Sequence, residues 1–356
     1  MNSFSDKIIQ WYSKNKRTLP WRENPTPYKT WLSEIILQQT RVAQGLDYYT
    51  NIINKYKTIK DLAAGKESEI LKLWQGLGYY NRARNMHFTA RYLVAENRGN
   101  FPNTYGELIK LKGVGKYIAA AIASICFDEP VPVIDGNVYR VISRYFRIDI
   151  SVPSNRAYYH FKDRLGELID EKNPGDFNQG LMELGALICT PKNPNCEQCP
   201  IRDKCLALRE NRVAAYPFKA EKKKSSSRYF NFLLIGYGDQ LLMLQRNQRD
   251  IWAKLYTLPL VERKTPQVRQ QLKDTLQVEN IRLLSQTLHK LTHQNLHIKF
   301  WSIDCGPNTY KRLQTYFTAL SIPAKKTGVY AVPKPVETFL KETPLNFCTF
   351  VGKGDV

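Results

Sequence analysis

Residues 111–117 read Leu-Lys-Gly-Val-Gly-Lys-Tyr. On both sides of this stretch, as at 70–74 and 118–125, apolar residues recur at the three- and four-residue spacing of amphipathic helices. Gly113 and Gly115 permit a tight turn that exposes backbone N–H groups at the start of the next helix, where they can bind a phosphate. Plain interhelical turns also contain Gly-x-Gly, so this interpretation depends on the rest of the chain.

The remaining sequence divides into two regions, as its 356 residues suggest. The helical pattern extends from Ser3 to about Leu208 and contains no convincing strand. Residues 219–228 are charged, Ser-rich and without apolar anchors, which is typical of a linker. Beyond them lie β-rich runs at 229–235 and 241–244, with helical patterns at 266–276 and 336–341. We therefore expect a helical domain at 1–213, a linker at 214–228 and a smaller α+β domain at 229–356.

Four cysteines form a compact set at the end of the helical region: Cys189, Cys196, Cys199 and Cys205. Their spacing, C-x(6)-C-x(2)-C-x(5)-C, contains one short pair flanked by longer gaps. Structural zinc sites usually have two short pairs, whereas the longer gaps here can surround a larger cubane. The sequence therefore favours a [4Fe-4S] cluster over zinc.

The chain is strongly basic, with 53 Lys and Arg residues, 32 Asp and Glu residues and a formal net charge of +21. This excess of cations favours a polyanionic partner, nucleic acid first and an anionic membrane second. The sequence shows no signal peptide and no apolar run long enough to cross a membrane, which predicts a cytoplasmic protein. In that reducing compartment, Cys126, Cys305 and Cys348 are interpreted as ordinary small apolar residues.

The 113–115 turn, Asp135 and the cysteine spacing together resemble the helix-hairpin-helix base-excision glycosylase superfamily. Within it, residues 31–40 (Trp-Leu-Ser-Glu-Ile-Ile-Leu-Gln-Gln-Thr), 76–80 and 134–138 resemble the MutY-type adenine DNA glycosylases. The resemblance implies a mainly α glycosylase domain with a hairpin at 111–117 and an iron-sulfur loop at 189–205, followed by a Nudix-like domain. It also implies a nucleoid-associated, monomeric enzyme, with double-stranded DNA containing A:8-oxoguanine or A:G mispairs as its partner.

Two carboxyl groups are expected to perform the chemistry, because glycosidic cleavage builds a sugar cation and a leaving group that must be protonated. Glu34 shares a predicted polar helix face with Gln38 and Arg41, and burial beside the base should raise its pKa. As the resemblance implies, it would protonate adenine at N7 and afterwards activate water. Asp135, at the expected start of a helix, would be kept ionised by nearby amides and would stabilise the cation. The alternatives are a solvated helix residue and a plain N-cap.

Further roles follow from the resemblance alone. Tyr117 stands where bifunctional relatives carry a Schiff-base lysine, so strand cleavage should be weak or absent. It could hydrogen-bond Asp135, with Asn137 also near the reacting sugar. The other residues assigned to DNA or base contacts in the first domain are Gly113 and Gly115 at a phosphate, Gln39 and Tyr79 as wedges, and Trp21, Arg22 and Glu183 around the adenine. Glu183 would accept a hydrogen bond from the adenine amine.

The second domain departs from the family pattern. Residues 244–246 and 252–259 resemble the start of a Nudix fold, but the segment 266–276 is poor in glutamate, so we expect recognition without hydrolysis. Leu291, Thr292 and His293 stand where the family has Phe-Ser-His, the loop that reads 8-oxoguanine, and loss of the aromatic ring should weaken discrimination. Lys112 replaces a common proline and should affect only hairpin rigidity.

Two other classes of protein fit parts of the sequence. An endonuclease III-like glycosylase with lyase activity would share the helical domain, although Tyr117 and the second domain argue against it. A non-catalytic DNA-binding module would share the basic charge and the cysteine loop.

Overall fold

The computed structural model describes residues 3–219, 225–246, 250–265 and 268–343. Residues 220–224 of the predicted linker, residues 266–267 of the predicted helix and Cys348 lie outside this range. Contacts divide the chain into two units: the first contains Met1–Gly65 and Arg84–Glu221, and the second contains Lys66–Ala83 and Lys222–Val356. No helix in the described residues is long and apolar enough to cross a membrane.

Helices dominate the chain up to residue 219, as the sequence pattern predicts. They are α1 (Phe4–Asn15), α2 (Pro27–Leu37), α3 (Val42–Lys55), α4 (Ile59–Ala64), α5 (Glu67–Leu73), α6 (Asn81–Asn97), α7 (Tyr105–Leu108), α8 (Lys116–Phe127), α9 (Gly136–Phe146), α10 (Asn155–Gly166), α11 (Pro174–Leu187) and α12 (Leu206–Arg209). In this part of the described chain, the only β pairing is an isolated bridge between Val152 and Lys219.

Local sequence signals explain where several of these helices begin. Ser3 and Asp6 form a reciprocal capping box at the start of α1, and Thr58 and Asp61 form another at α4. Helices α2 and α11 each begin with a proline, whose missing N–H group costs nothing in the first turn. The helix boundaries in this unit are therefore largely encoded by local chemistry.

Helix α11 packs against α1, α8 and α9 in the first unit. Phe177 and Leu181 of α11 are fully buried in a core that also contains Val138 of α9 and Phe161 of α10. The approach of α9 is especially close at Gly185, where an added Cβ would lie 2.5 Å from the Cβ of Asn137. This contact fixes the start of α9 against α11.

The second unit is built on a sheet of seven strands: β1 (Ser226–Tyr237), β2 (Gln240–Gln245), β3 (Tyr256–Thr257), β4 (Leu260–Arg263), β5 (Ile281–Lys290), β6 (Gln294–Ile303) and β7 (Leu320–Pro323). The main order is β3-β2-β1-β6-β5, with β4 on β1 and β7 on β2. Strands β1 and β6 run parallel, and the other pairs run antiparallel.

Both faces of the sheet are covered by helices: α13 (Arg269–Leu276), α14 (Pro307–Phe317) and α15 (Lys334–Glu342). On one face, Phe339 of α15 stacks on Phe300 with ring centroids 4.0 Å apart. On the other, Leu272 of α13 and Leu313 of α14 pack with Leu233 of β1. The predicted α+β fold is confirmed, and α13 contains a single acidic residue, Asp274.

Candidate active site

The four predicted catalytic residues lie together. Glu34, Tyr117, Asp135 and Asn137 come from α2, α8 and the start of α9, and all four line one cleft of about 1040 Å³ in the first unit. Three residues expected around the adenine line the same cleft: Trp21, Arg22 and Glu183. Residues that are 149 positions apart in sequence (34 to 183) therefore contribute to one site.

Glu34 is buried, with 8% of its surface exposed. Burial raises the pKa of its carboxyl to about 7, and the nearby Asp135 carboxylate acts in the same direction. The Tyr117 hydroxyl donates a 2.5 Å hydrogen bond to Glu34 Oε2, which stabilises the carboxylate and partly offsets the rise. The raised pKa agrees with the sequence prediction and leaves a protonated fraction of Glu34 near neutral pH.

Two sequence expectations around Glu34 are wrong. Tyr117 bonds to Glu34 and not to Asp135. Helix α2 ends at Leu37, where Gln38 leaves helical geometry and Gln39 adopts a positive φ of 56°. Gln38 and Arg41 therefore do not continue the helix face of Glu34, because Arg41 precedes α3 as its N-cap residue. Arg41 still lines the cleft, and the Gln39 side chain is exposed in the turn.

Asp135 combines the two roles that the sequence left as alternatives. It is the N-cap of α9, with Oδ1 accepting from Val138 N at 2.7 Å, and it also lines the cleft. Its Oδ2 accepts from Asn137 Nδ2 at 2.8 Å. The expectation that amides keep its pKa low is wrong in direction, because burial raises the pKa by more than these hydrogen bonds lower it.

Glu183 is already saturated by protein donors. Arg17 donates to it from Nε and Nη2, both at 2.7 Å, and from its backbone N at 3.0 Å. Arg22 adds two bonds of 3.1 and 3.0 Å. Burial would raise the pKa of Glu183, but these bonds outweigh it and lower the pKa to about 2.

A carboxylate has about four lone-pair sites, so five donors leave none for the adenine amine in this arrangement. The geometry instead makes Glu183 the residue that holds Arg17 and Arg22 at the cleft. Sequence analysis missed Arg17, because no local pattern pairs it with a glutamate 166 positions away.

The predicted phosphate hairpin lies in the first unit at the start of α8. Gly113 has φ +81°, and a Cβ there would lie 2.7 Å from the Cβ of Asn85, so both conformation and space require glycine. Gly115 is the N-cap residue of α8 and its surroundings are open. Lys112 is exposed, with Nζ 4.2 Å from the ring centroid of Phe88. Lys112 therefore places a cation beside the hairpin, a role that sequence analysis did not assign to it.

In the second unit, Leu291, Thr292 and His293 form the turn between β5 and β6, closed by a 2.8 Å bond from Leu291 N to Gln294 O. Thr292 and His293 are exposed, whereas Leu291 packs partly into the core. Tyr79, 51% exposed and with a positive φ of 47°, shares a hydrogen bond between its hydroxyl and that of Thr292. Two residues expected to contact DNA therefore contact each other.

The four clustered cysteines line one small cavity in the first unit. Buried Arg144 donates to Cys189 Sγ at 3.3 Å and to the carbonyl of Thr190 at 2.8 Å. Across the described residues, no three His, Cys, Asp or Glu side chains converge closely enough for one metal ion. Four thiols around one shared cavity are the donor set of an iron-sulfur cluster.

Tyr117→Phe should shift the alkaline limb of the pH profile of base excision upwards. The hydroxyl stabilises the Glu34 carboxylate, so its removal raises the Glu34 pKa, and the acid stays protonated to higher pH. Single-turnover rates across pH 5–9, a range of about two units on either side of neutrality, would measure the shift. Tyr28→Phe is the matched control, since Tyr28 is a buried tyrosine bonded to Tyr56 O outside the cleft. If the alkaline limb of Tyr117→Phe stayed in place or moved to lower pH, Tyr117 would not be the residue that stabilises the Glu34 carboxylate.

Comparison with known families agrees with this geometry. The HhH-GPD superfamily base excision DNA repair protein family matches residues 32–164, the iron-sulfur binding domain of endonuclease III matches 189–205, and a NUDIX domain matches 231–342. The predicted iron-sulfur loop and Nudix-like domain are thereby confirmed.

Solved structures resemble the helical region. A thermostable thymine-DNA glycosylase superposes with a TM-score of 0.54 and 30% identity, over 58% of this chain and 95% of that one. An endonuclease III in a non-covalent DNA complex gives a TM-score of 0.50 with 21% identity, over 58% of this chain and 94% of that one. The second likeness supports the fold alone.

Two relatives support the assignment to a family. An adenine DNA glycosylase of Buchnera aphidicola subsp. Schizaphis graminum is 35% identical over 95% of this chain and 98% of its own length. One from Rattus norvegicus is 42% identical over 61% of this chain and 44% of its own length. These matches favour adenine excision over both alternatives considered from the sequence. The chain belongs to the adenine DNA glycosylase family.

Proposed function

We propose that this adenine DNA glycosylase removes adenine paired with 8-oxoguanine or guanine in double-stranded DNA, and that it does so without cutting the strand. The observation that carries the proposal is the pairing of buried Glu34, with a pKa of about 7, and Asp135 in one cleft. Tyr117 occupies the position at which a lyase needs an amine, and its hydroxyl is engaged by Glu34.

In the proposed reaction, Glu34 donates its proton to N7 of the flipped adenine, so that the base leaves as a neutral molecule. The cationic sugar that remains is stabilised by the Asp135 carboxylate, whose orientation is fixed by Val138 N and Asn137 Nδ2. Glu34, now ionised, then accepts a proton from the attacking water. Trp21 and Arg22 line the space that the base would occupy, and Arg22 is held in place by Glu183.

The remaining proposed contacts position the duplex. Amides at Gly113 and Gly115 bind a backbone phosphate, and Gln39 and Tyr79 fill the space left by the flipped base. The base opposite the adenine is read by the turn Leu291, Thr292 and His293, in which the exposed threonine and histidine offer polar groups. The net charge of +21 supports association with the nucleoid, and we propose that a single copy of the chain acts in the cytoplasm.

Cys189, Cys196, Cys199 and Cys205 would hold the [4Fe-4S] cluster. The cluster would cross-link the loop 189–205 to the end of α11, and no chemical step depends on it. Arg144 would donate a hydrogen bond to the Cys189 sulfur and so orient one ligand.

Adenine release from a duplex with a single adenine opposite 8-oxoguanine tests the proposal, with strand breaks scored before and after alkali. We expect free adenine, and strand breaks only after alkali. A monofunctional enzyme leaves an abasic site in an unbroken strand, and alkali then cleaves the strand at that site. Breaks without alkali would contradict the monofunctional assignment. No adenine release from this duplex, together with release from A:G, would contradict the lesion specificity.

A further inference from the structure

The second unit includes one segment whose sequence neighbours on both sides belong to the first unit. This segment, Lys66–Ala83, comprises α5, a glycine-rich loop and the first residues of α6. The loop is held from within: Trp74 Nε1 donates to Gly78 O at 3.0 Å, and Arg82 Nη2 donates to the same carbonyl at 3.2 Å. The Arg82 guanidinium also lies 5.1 Å from the Trp74 ring centroid. Tyr79 is therefore presented by an ordered loop.

Among the described residues, hydrogen bonds join the segment to the rest of its unit at the following two places. The first is the bond between the Tyr79 and Thr292 hydroxyls, at the tip of the β5–β6 hairpin. Both side chains are exposed, so water competes for this bond. A single bond of this kind does not fix the relative position of two loops.

The second place, which we call the latch, consists of Lys72, Gln75, Tyr330 and Val332. Lys72 Nζ donates to Tyr330 O at 3.3 Å and to Gln75 Oε1 at 3.1 Å. Gln75 Oε1 also accepts from Val332 N at 3.4 Å. Tyr330 packs on Tyr256 of β3, and Val332 is buried in the core around β1. The latch therefore ties α5 to the sheet that carries the β5–β6 hairpin.

We propose that Lys72 and Gln75 are positioning residues for recognition of the base opposite the adenine. The latch holds the base of the segment, so that Tyr79 at its tip stays in register with Thr292. This inference rests on the proposed function, because it concerns the choice between 8-oxoguanine and guanine.

8-Oxoguanine and guanine differ only in a carbonyl oxygen and a ring hydrogen. Only a small number of polar contacts can therefore distinguish the two bases. Such contacts depend on supporting residues that keep the reading group within a fraction of an ångström. Neither Lys72 nor Gln75 lines the catalytic cleft. Loosening the latch should therefore reduce discrimination and leave the chemical step intact.

The test compares single-turnover excision from A:8-oxoguanine and A:G duplexes. Gln75→Ala and Lys72→Met should each reduce the ratio of the two rates by about fivefold or more, the lower end of typical coupling between sites. The rate on A:G and the thermal midpoint should stay close to those of the unmodified protein. Gln75→Glu keeps an acceptor oxygen and should preserve the ratio. Lys66→Met, at an exposed lysine on the same segment, controls for loss of charge.

The outcomes separate the two proposals. If the unmodified protein prefers A:8-oxoguanine and Gln75→Ala retains the full preference, the latch is contradicted and the proposed function stands. A parallel fall of both rates in Gln75→Ala would also contradict the latch, because it would show a general loss of structure. Equal rates of the unmodified protein on both duplexes would contradict the proposed specificity and the latch with it.

Discussion

Glu34→Gln is expected to lower adenine excision by about 10²- to 10⁴-fold, the usual contribution of a general acid or base. Glutamine has nearly the same shape and can still face the Tyr117 hydroxyl, but its amide has no proton acidic enough to transfer to the base. The alkaline limb of the pH profile, set in the unmodified protein by a pKa of about 7, should disappear with the activity. Affinity for the mispaired duplex should persist.

Stability gives a second readout of the same variant. The folded-state pKa of Glu34 lies above its value of 4.5 in an unfolded chain. The folded state therefore binds more protons between these two pH values, and its stability falls as pH rises towards 7. Glu34→Gln cannot ionise, so it avoids this loss of folding stability. The thermal midpoint of Glu34→Gln at pH 8 should therefore exceed that of the unmodified protein.

The matched control is Glu23→Gln, an exposed glutamate at the edge of the same cleft. It should change neither the excision rate nor the pH profile. If Glu34→Gln retained more than a tenth of the activity, Glu34 would not be the general acid. If it lost duplex binding together with activity, its role would be structural.

Asp135→Asn should lower excision by about 10²- to 10³-fold, as expected when one electrostatic contact to a developing charge is lost. Asparagine caps helices as well as aspartate does, so the bond to Val138 N and the start of α9 should be kept. The variant removes only the negative charge that would face the sugar cation. The fold loss of excision rate in Asp135→Asn should be similar across the neutral pH range, whereas the loss on removing a proton donor should change with pH.

Single-turnover kinetics and circular dichroism together would check this result. Asp128→Asn provides the control, because Asp128 is exposed, caps α8 in the left-handed conformation and lies outside the cleft. Asparagine tolerates that conformation, so the control should fold and react normally. Full activity of Asp135→Asn would leave Asp135 with the helix cap as its only role.

Short-range sequence signals predicted much of the fold and part of the site. The expected helix start at Asp135, the cysteine spacing, the helical periodicity and the β-rich runs each depend on a few neighbouring positions, and all correspond to observed elements. The pairing of Glu34 with Asp135 followed from the resemblance, and the structure brings both into one cleft.

The features that sequence missed depend on tertiary contacts. Helix α2 ends at Leu37 without a glycine or proline, so no local helix breaker in the sequence marks the turn at Gln38 and Gln39. The partner of Tyr117 and the saturation of Glu183 depend on distances between helices that no periodicity encodes. The membership of Lys66–Ala83 in the second unit is equally non-local.

Gly185 shows how the interior of the protein limits the variation that the enzyme can tolerate. It supplies no group to the chemistry, yet even a methyl group there would meet Asn137 at 2.5 Å and displace the start of α9. That displacement would shift Asp135 relative to Glu34, because Asp135 is hydrogen-bonded within the same turn. Substitutions at this glycine are therefore expected to lower excision through packing, although the residue contributes no reacting group.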